Sequence, residues 1–323
     1  VKAFNRLILV VLGLVCCGSV VAWAADRPAP IVISSGEVSG YYFPTAGALC
    51  RVLNKDKIQG RTCLVQPSIG SSANLTAVGV GEVELGLAQS RAAALAAGSG
   101  EGYLGAPVHD LRAIMSLYGE AGVILVRPES QITQMSDLKG KRVNLGKVGS
   151  FQRSMADALL SAAKLSEGDF AQVVELDLET QAQALCEGNL DAAFFSGVHP
   201  MTEVMGAIDQ CGAVPLSLPP SVIAQGEARM PWLSKLVIPG NSYEGIKDDV
   251  TTLAVRTLLV TTERAPSEFV YEIVKAVHSN FAALIRLHPV LNNLSRVESA
   301  KAGIAIPLHD GARRYYTEMG YLK

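Results

Sequence analysis

From residue 31 to about residue 218 the chain alternates short apolar runs with longer amphipathic stretches. The runs are IVIS (31–34), CLVQ (63–66), LGLAQ (85–89), RAIMSLY (112–118), VILVR (123–127), RVNLG (142–146), VVELD (173–177), DAAFF (191–195) and VPLSL (214–218). Their length and their Val, Ile and Leu content suit strands buried on both faces. Between them, stretches such as SMADALLSAAKL and ETQAQALCEGN read as helices. The alternation predicts an α/β fold built on a largely parallel sheet. In the tail, Phe269, Val270, Ile273, Val274, Val277, Phe281, Leu284 and Ile285 recur three and four residues apart. That spacing predicts one long helix over 266–288 with this stripe turned to the core. Pro266 suits its first turn and Pro289 ends it. The stretch 219–249 is rich in Pro, Gly and Ser and reads as a segment wrapping between lobes.

Composition narrows the class. Of 323 residues, 49% are hydrophobic and 18% charged, which supplies a sizeable core and excludes long disorder. The length suggests about two domains. A net charge of -2 without blocks of like charge argues against a nucleic-acid partner. At the N-terminus Lys2 and Arg6 precede an apolar run over 7–21, followed by Ala22-Trp23-Ala24. This is the pattern of an export signal over residues 1–25, cleaved after a small-x-small site. The run is shorter than the ~20 residues a membrane span needs. An uncleaved anchor, or a lipid on Cys16 or Cys17, is the alternative; Val15 is not the small residue that lipidation prefers. Removing the signal moves the net charge from -2 to -4.

Cys50, Cys63, Cys186 and Cys211 remain, an even number suited to an oxidising compartment. Three pairings are open to them. Cys50–Cys63 and Cys186–Cys211 are favoured because each pair falls within one local helix–strand neighbourhood; four free buried thiols are the alternative. No CxxC or His–Cys spacing indicates a metal.

Three strand-to-helix turns are rich in Gly and Ser: SSGEVSGYY (34–42), VQPSIGSSANL (65–75) and VNLGKVGSFQRS (143–154). Backbone N–H groups at a helix start have no intrahelical partner, and the helix dipole adds positive potential there. Gly admits a ligand close to the backbone. Arg91 follows Gln89-Ser90 at a strand's C-terminal end, and Arg153 lies in the first turn after Gly149-Ser150. Ligands of open α/β sheets bind at such ends. The first turn is G-x-x-x-G, not G-x-G-x-x-G, and no P-loop occurs, so nucleotide binding is disfavoured.

Catalytic patterns are missing. There is no G-x-S-x-G, and the S-x-x-K matches at Ser136–Lys139 and Ser161–Lys164 lack their companion motifs. His109, His199, His278, His288 and His309 show no metal spacing; His278 reads as structural, and His199, after DAAFFSG, as a cap or hydrogen-bond partner near a cleft.

Taken in order, IVISSGEVSGYYFPTAGALCRVLN, VQPSIGSSANL, GEVELGLAQS, LRAIMSLYGE, DLKGKRVNLGKVGS, CEGNLDAAFFSGVHP, DDVTTLAVRTLLVT and IPLHDGARRYY resemble the TAXI family of solute-binding proteins over nearly the whole mature chain. The resemblance implies a two-lobed type II periplasmic binding-protein fold, with residues 26–120 plus 261–323 as one lobe and 121–260 as the other. Strand crossings would fall near Gly119–Gly122 and Val260. It implies a monomeric periplasmic receptor without a cofactor that binds a small organic anion, a dicarboxylate or acidic amino acid. Its partners would be the membrane subunits of an ion-driven TRAP transporter. The binding residues it implies are Ser35, Gly36, Gly40 and Tyr42 in the first turn, Ser68 and Ser71 in the second, and Gln89, Ser90 and Arg91. From the other lobe come Gly149, Ser150, Arg153, Phe195 and Gly197, with the arginines neutralising charge and Tyr42 and Phe195 as walls. The chain departs from the family pattern at Ile69-Gly70-Ser71 (usually Gly-Gly), at Phe151 (usually Gly), at Gly119 (commonly Pro) and at Arg91 (usually Asp). The last change removes a partner for an ammonium group and favours a di- or hydroxy-carboxylate over glutamate. A receptor for another transporter class or a sensor kinase, an enzyme on the same fold, and a ligand-free scaffold are the rival readings.

Overall fold

The computed structural model describes residues 28–98 and 105–323. The expected export signal, with Cys16 and Cys17, lies outside the described residues.

Each apolar run has the β-branched and aliphatic content of a strand covered on both faces. In chain order the elements begin with β1 (Ile31–Ser34), α1 (Tyr42–Asp56), β2 (Cys63–Gln66), α2 (Ser71–Val80), β3 (Leu85–Gln89), α3 (Ser90–Ala96) and β4 (Leu111–Val126). Next come β5 (Arg142–Asn144), α4 (Phe151–Ala163), β6 (Gln172–Val174), α5 (Leu178–Cys186), β7 (Ala192–Gly197), α6 (Thr202–Cys211), β8 (Val214–Pro215) and α7 (Pro220–Arg229). The chain closes with β9 (Leu233–Ile238), β10 (Val250–Thr262), α8 (Ser267–Ser279), α9 (Phe281–Leu284) and α10 (Asp310–Glu318). The strands run in the order β2-β1-β3-β10-β4-β7-β5-β6, with β8 added on β4 and β9 on β10.

Three differences from the sequence pattern have physical causes. RAIMSLY and VILVR belong to one 16-residue strand, because Gly119 and Gly122 continue the ladder instead of turning it. Their lack of side chains is required by packing: a Cβ on Gly119 would meet Leu236 Cδ1 at 2.6 Å, and one on Gly122 would meet Leu159 Cδ1 at 2.9 Å. The helix expected over 266–288 breaks at Asn280, whose side-chain amide donates to Asp56 and to the Ala276 carbonyl. Pro266 is its N-cap in extended conformation, not a first-turn residue. The 219–249 stretch holds α7 and β9 rather than being only a connection.

β4 and β10 pair antiparallel from Leu111–Thr262 through Ala121–Ala254 and pass between separate cores. In β4, Ala113 to Tyr118 belong to a core shared with β1–β3, α1 and α8, while Ala121, Val123 and Leu125 belong to a second core with α6. Ile124 and Val126 pack on the opposite sheet face, in a third core with α4 and α7. In β10 the same division falls between Val255 and Leu258. One lobe thus has β10 and β4 beside β3, β1 and β2, and the other has them beside β7, β5 and β6.

Two disulfides, Cys50–Cys63 and Cys186–Cys211, tie α1 to β2 and α5 to α6, with Cα separations of 5.0 and 5.3 Å. Their loop closures are worth ~3 kcal/mol each.

At the start of the DAAFF run, Asp191 staples three strands of the second lobe. Its carboxylate accepts from Arg142 Nη2 at 2.8 Å and Nε at 3.1 Å, from the Arg142 N–H at 2.9 Å, and from Arg127 Nη2 at 3.3 Å. The Arg142 hydrogen bonds and charge, with the Arg127 hydrogen bond, outweigh burial and hold its pKa at about 2. Asp191→Asn is therefore expected to cost about 2–3 kcal/mol at pH 7, measured by urea unfolding. Since the folded-state pKa lies below the ordinary 3.8, this stability is present above that value and is lost as pH falls toward 2. The difference between wild type and variant should close over that window.

Candidate ligand cleft

The parallel strands β1, β2 and β3 of one lobe all end on the same side, as do β5, β6 and β7 of the other. β3 ends at Gln89, paired with Thr257 of β10, and β7 ends at Gly197, paired with Ala121 of β4. The C-terminal ends from both lobes therefore converge on the middle of the β4–β10 pair, and α1, α2 and α4 start from those ends.

On the first-lobe side a hydrogen-bonded chain lines this junction. Tyr42 Oη and Ser71 Oγ lie 3.0 Å apart, the Gln89 N–H donates to Ser71 Oγ at 3.1 Å, and Gln89 Nε2 donates to Glu120 Oε2 at 3.1 Å. Burial, with Glu120 nearby, raises the Tyr42 pKa. The Thr257 hydroxyl faces both Tyr42 and Tyr118 but forms no well-directed hydrogen bond, although Thr257 is fully buried. By strand alternation Glu120 shares a sheet face with Gly122, and hence with α4.

Sequence reasoning passed over Glu120 and Asn74. Asn74 sits fully buried in α2, and its amide accepts from Ser34 Oγ and Ser68 Oγ, each at 2.6 Å. It donates to the Leu87 carbonyl at 2.6 Å and to the Ser35 carbonyl. One side chain thus joins the ends of β1, β2 and β3. An Asn inside an otherwise small and apolar helix, NLTAVGV, was the available signal. Glu120 had a signal too: one acid inside an apolar run becomes a cleft carboxylate only if that run is a single strand.

The residues expected to bind fall into three groups. Tyr42, Ser71 and Gln89 are brought together directly. Ser35 and Ser68 are nearby but committed: Ser35 Oγ donates to the Gln66 carbonyl at 2.9 Å, and Ser68 Oγ accepts the Gly70 N–H at 3.0 Å. Gly36 is buried against Tyr42, where a Cβ would approach Tyr42 Cβ to 3.0 Å, while Gly40 is exposed. Across the junction, Gly149 takes φ +83°, a conformation open to glycine, and Ser150 N-caps α4 by accepting the Arg153 N–H at 3.1 Å. The cap uses a lone pair of the Ser150 oxygen and leaves its hydroxyl hydrogen for the expected donor role.

Three expected roles give way to structural ones. Ser90, 1% exposed, donates to the Trp232 carbonyl at 2.7 Å and accepts the Arg256 N–H at 2.9 Å, stitching α3 to β10 and the entry to β9. Phe195 is core rather than wall: it is 1% exposed, on the face packed by α6. The Arg153 guanidinium is held by Asp157 at 2.9 Å, by Glu167, and by Glu175 at 3.6 Å, so its charge is already offset. Arg91 is exposed in the first turn of α3 and has no ion-pair partner among the described residues. His199 Nδ1 lies 2.6 Å from Tyr243 Oη, which accepts the Met201 N–H at 2.8 Å, and burial lowers the imidazole pKa to about 4. His278 is 1% exposed and bonds Ser299 Oγ at 3.2 Å. Among the described residues no cluster of His, Cys, Asp and Glu could hold a metal ion.

Residues 33–320 match the NMT1-like family. The chain belongs to that family. This NMT1-like chain is also similar in fold to a TctC solute binding protein from Polaromonas, with a TM-score of 0.54 at 15% identity over 91% of this chain and 99% of that one. A second similar structure is the periplasmic sulfonate-binding protein SsuA of a putative sulfonate ABC transporter from Methylobacillus flagellatus. It gives a TM-score of 0.50 at 14% identity over 91% and 85% of the two chains. The NMT1-like chain thus has the two-lobed fold of periplasmic solute-binding proteins, as the resemblance of its motifs to a solute-binding family implied.

Two measurements test the junction. Asn74→Ala removes four buried hydrogen bonds and strands two carbonyls, so it should cost about 3 kcal/mol or more in urea unfolding. Burial raises the Glu120 pKa, against the Gln89 hydrogen bond that lowers it. A raised folded-state pKa means that stability is greatest at low pH and is lost as pH rises through it. Glu120→Gln keeps the Gln89 contact and should raise the unliganded melting temperature at neutral pH. That gain should shrink to nothing as pH falls below the ordinary carboxylate value, followed by calorimetry across the range.

Proposed function

We propose that this chain is a periplasmic solute receptor that binds a small organic anion, a dicarboxylate or acidic amino acid, between its lobes. It delivers the anion to the membrane subunits of an ion-driven transporter of the TRAP type. The observation that carries this reading is the convergence of strand ends and helix N-termini from both lobes on the middle of β4 and β10. Each helix start contributes ~0.3–1 kcal/mol toward an anion, and up to ~2 when desolvated. Three such ends with one guanidinium reach micromolar binding, about -8 kcal/mol. On this reading Tyr42, Ser71 and Gln89 meet the ligand from the first lobe, Gly149, Ser150 and Gly197 meet it from the second, and Arg91 supplies the positive charge. On this reading the lobes divide near residue 120 in β4 and, because Leu258, Leu259 and Val260 pack on the first-lobe core, between residues 255 and 258 in β10 rather than at 260/261.

Glu120 adds a requirement. A carboxylate on the cleft floor repels a bare anion, so the ligand brings it a hydrogen-bond donor, a hydroxyl, ammonium or protonated carboxyl. The resemblance of the motifs to TAXI proteins supports the TRAP partner. The likeness to a sulfonate receptor of an ABC transporter favours, as the second reading, a receptor of the same chemistry for that transporter class.

A thermal-shift screen of organic acids on the mature chain tests the function. A ligand at 100 times its Kd adds ~2.7 kcal/mol of stability. Arg91→Ala is expected to abolish the largest shift and leave the unliganded melting point in place. Arg153→Ala should do the reverse, lowering the unliganded value while the shift persists. If no organic anion stabilises the protein, the receptor reading is wrong.

A further inference from the structure

A cavity of about 330 Å³ lies on the sheet face opposite Glu120. Gly119 points to this face, toward Leu236 and Arg256, whereas Gly122 points to α4. One wall is β9, with Lys235 and Leu236; the other is the segment after α9, with Val290, Leu294 and Glu298. Val290 and Leu294 pack on the first-lobe core and Leu236 on a second-lobe core, so the cavity spans the lobes.

Arg256, 5% exposed, forms part of its lining. Nε donates to Ser234 Oγ at 2.7 Å and Nη2 to the Lys235 carbonyl at 3.0 Å. Nη1 has no protein acceptor among the described residues, and it is not among the buried atoms that lack a partner. The nearest carboxylate, Glu298, stands 3.7 Å from Nη2 and is about half exposed. That is too far for a hydrogen bond and too wet for a strong ion pair. A buried cation normally has a close, desolvated counter-charge. Here burial pulls the guanidinium's pKa below its ordinary value, with Glu298 and Glu227 opposing only in part. Lys235 at the same cavity adds a second positive charge. Beyond the charged end Leu236, Ile238, Val290 and Leu294 give an aliphatic stretch of wall, with Ser242 and Asn293 as polar neighbours.

We propose that this cavity is a second ligand site, taking a small carboxylate with a short apolar tail. The carboxylate accepts from Arg256 Nη1 and displaces Glu298, and the tail lies against Leu236, Val290 and Leu294. The volume is at the lower end of the range for small-molecule pockets, ~300–1,000 Å³, which limits the guest to a short aliphatic or aromatic acid. Glu120, Gln89 and Gly197 are not among the residues that line the cavity.

Hexanoate, with hexanol as the uncharged control, tests it by calorimetry and chemical-shift titration on the mature protein. Wild type is expected to bind hexanoate at one site and hexanol at least about tenfold more weakly. Glu298→Ala removes the competing carboxylate from an exposed position and should tighten hexanoate on the order of threefold to fivefold. Val290→Trp fills the cavity without touching Arg256 and should weaken hexanoate by about tenfold or more, with the fold checked by circular dichroism. Glu120→Gln should leave hexanoate binding unchanged. Absence of hexanoate binding to wild type, equal binding of hexanol, unchanged binding in Val290→Trp, or loss of binding in Glu120→Gln would each overturn the proposal.

Discussion

The pairing of β4 with β10 is the constraint from which the rest follows. Both strands lie buried along most of their length, so they lack the polar alternation of a surface strand. Such strands need cover on both faces at every level. The chain provides it with three cores, one around the first half of β4 and two on opposite faces of the second half. Two glycines in β4 let the strand run on between these cores, because neighbouring side chains already occupy the space a Cβ would take. Two lobes joined by continuous strands, with a cleft over the joint, are the geometric consequence.

Strand ends at such a joint need their polar groups satisfied without a ladder. Each lobe meets this need with buried amides. In the first, Asn74 ties the ends of β1, β2 and β3. In the second, Asn144 accepts the Leu176 N–H at 2.7 Å, and Gln152 donates to Gln181 at 3.0 Å and to the Phe194 carbonyl at 2.8 Å. Buried amides engaged in this way hold loops in a single arrangement, with only the Gln181 Nε2 of this set left without an acceptor among the described residues. They leave the helix starts above them preorganised, which reduces the ordering cost of ligand binding.

Charge is placed by the same logic. Arginines that might have served a ligand are drawn into the frame: Arg153 by three acids of its own lobe, and Arg142 with Arg127 by Asp191. A carboxylate, Glu120, stands instead on the cleft floor, and the least compensated buried cation, Arg256, faces away from it. The two sheet faces of the joint therefore differ in sign as well as in shape.

Periodicity by itself determined the α/β class, the nine apolar runs that form the eight strands β1 to β8, and the core stripe of α8 and α9, while closeness in sequence favoured the observed pairing of the four cysteines. These depend on interactions between residues close in sequence, or on burial, which apolar spacing reports directly. It also located the strand-to-helix turns, since Gly and Ser mark helix starts. What only the tertiary structure decided was which polar side chains are free. Ser90, Phe195 and Arg153 look like binding residues in one dimension. Their partners, Trp232, the core around α6, and Glu167 and Glu175, are distant in sequence or set by which face a strand presents. The same reason hid Asn74 and Glu120. A side chain's role at a cleft is fixed by what the other strands bring to it, and no local pattern records that.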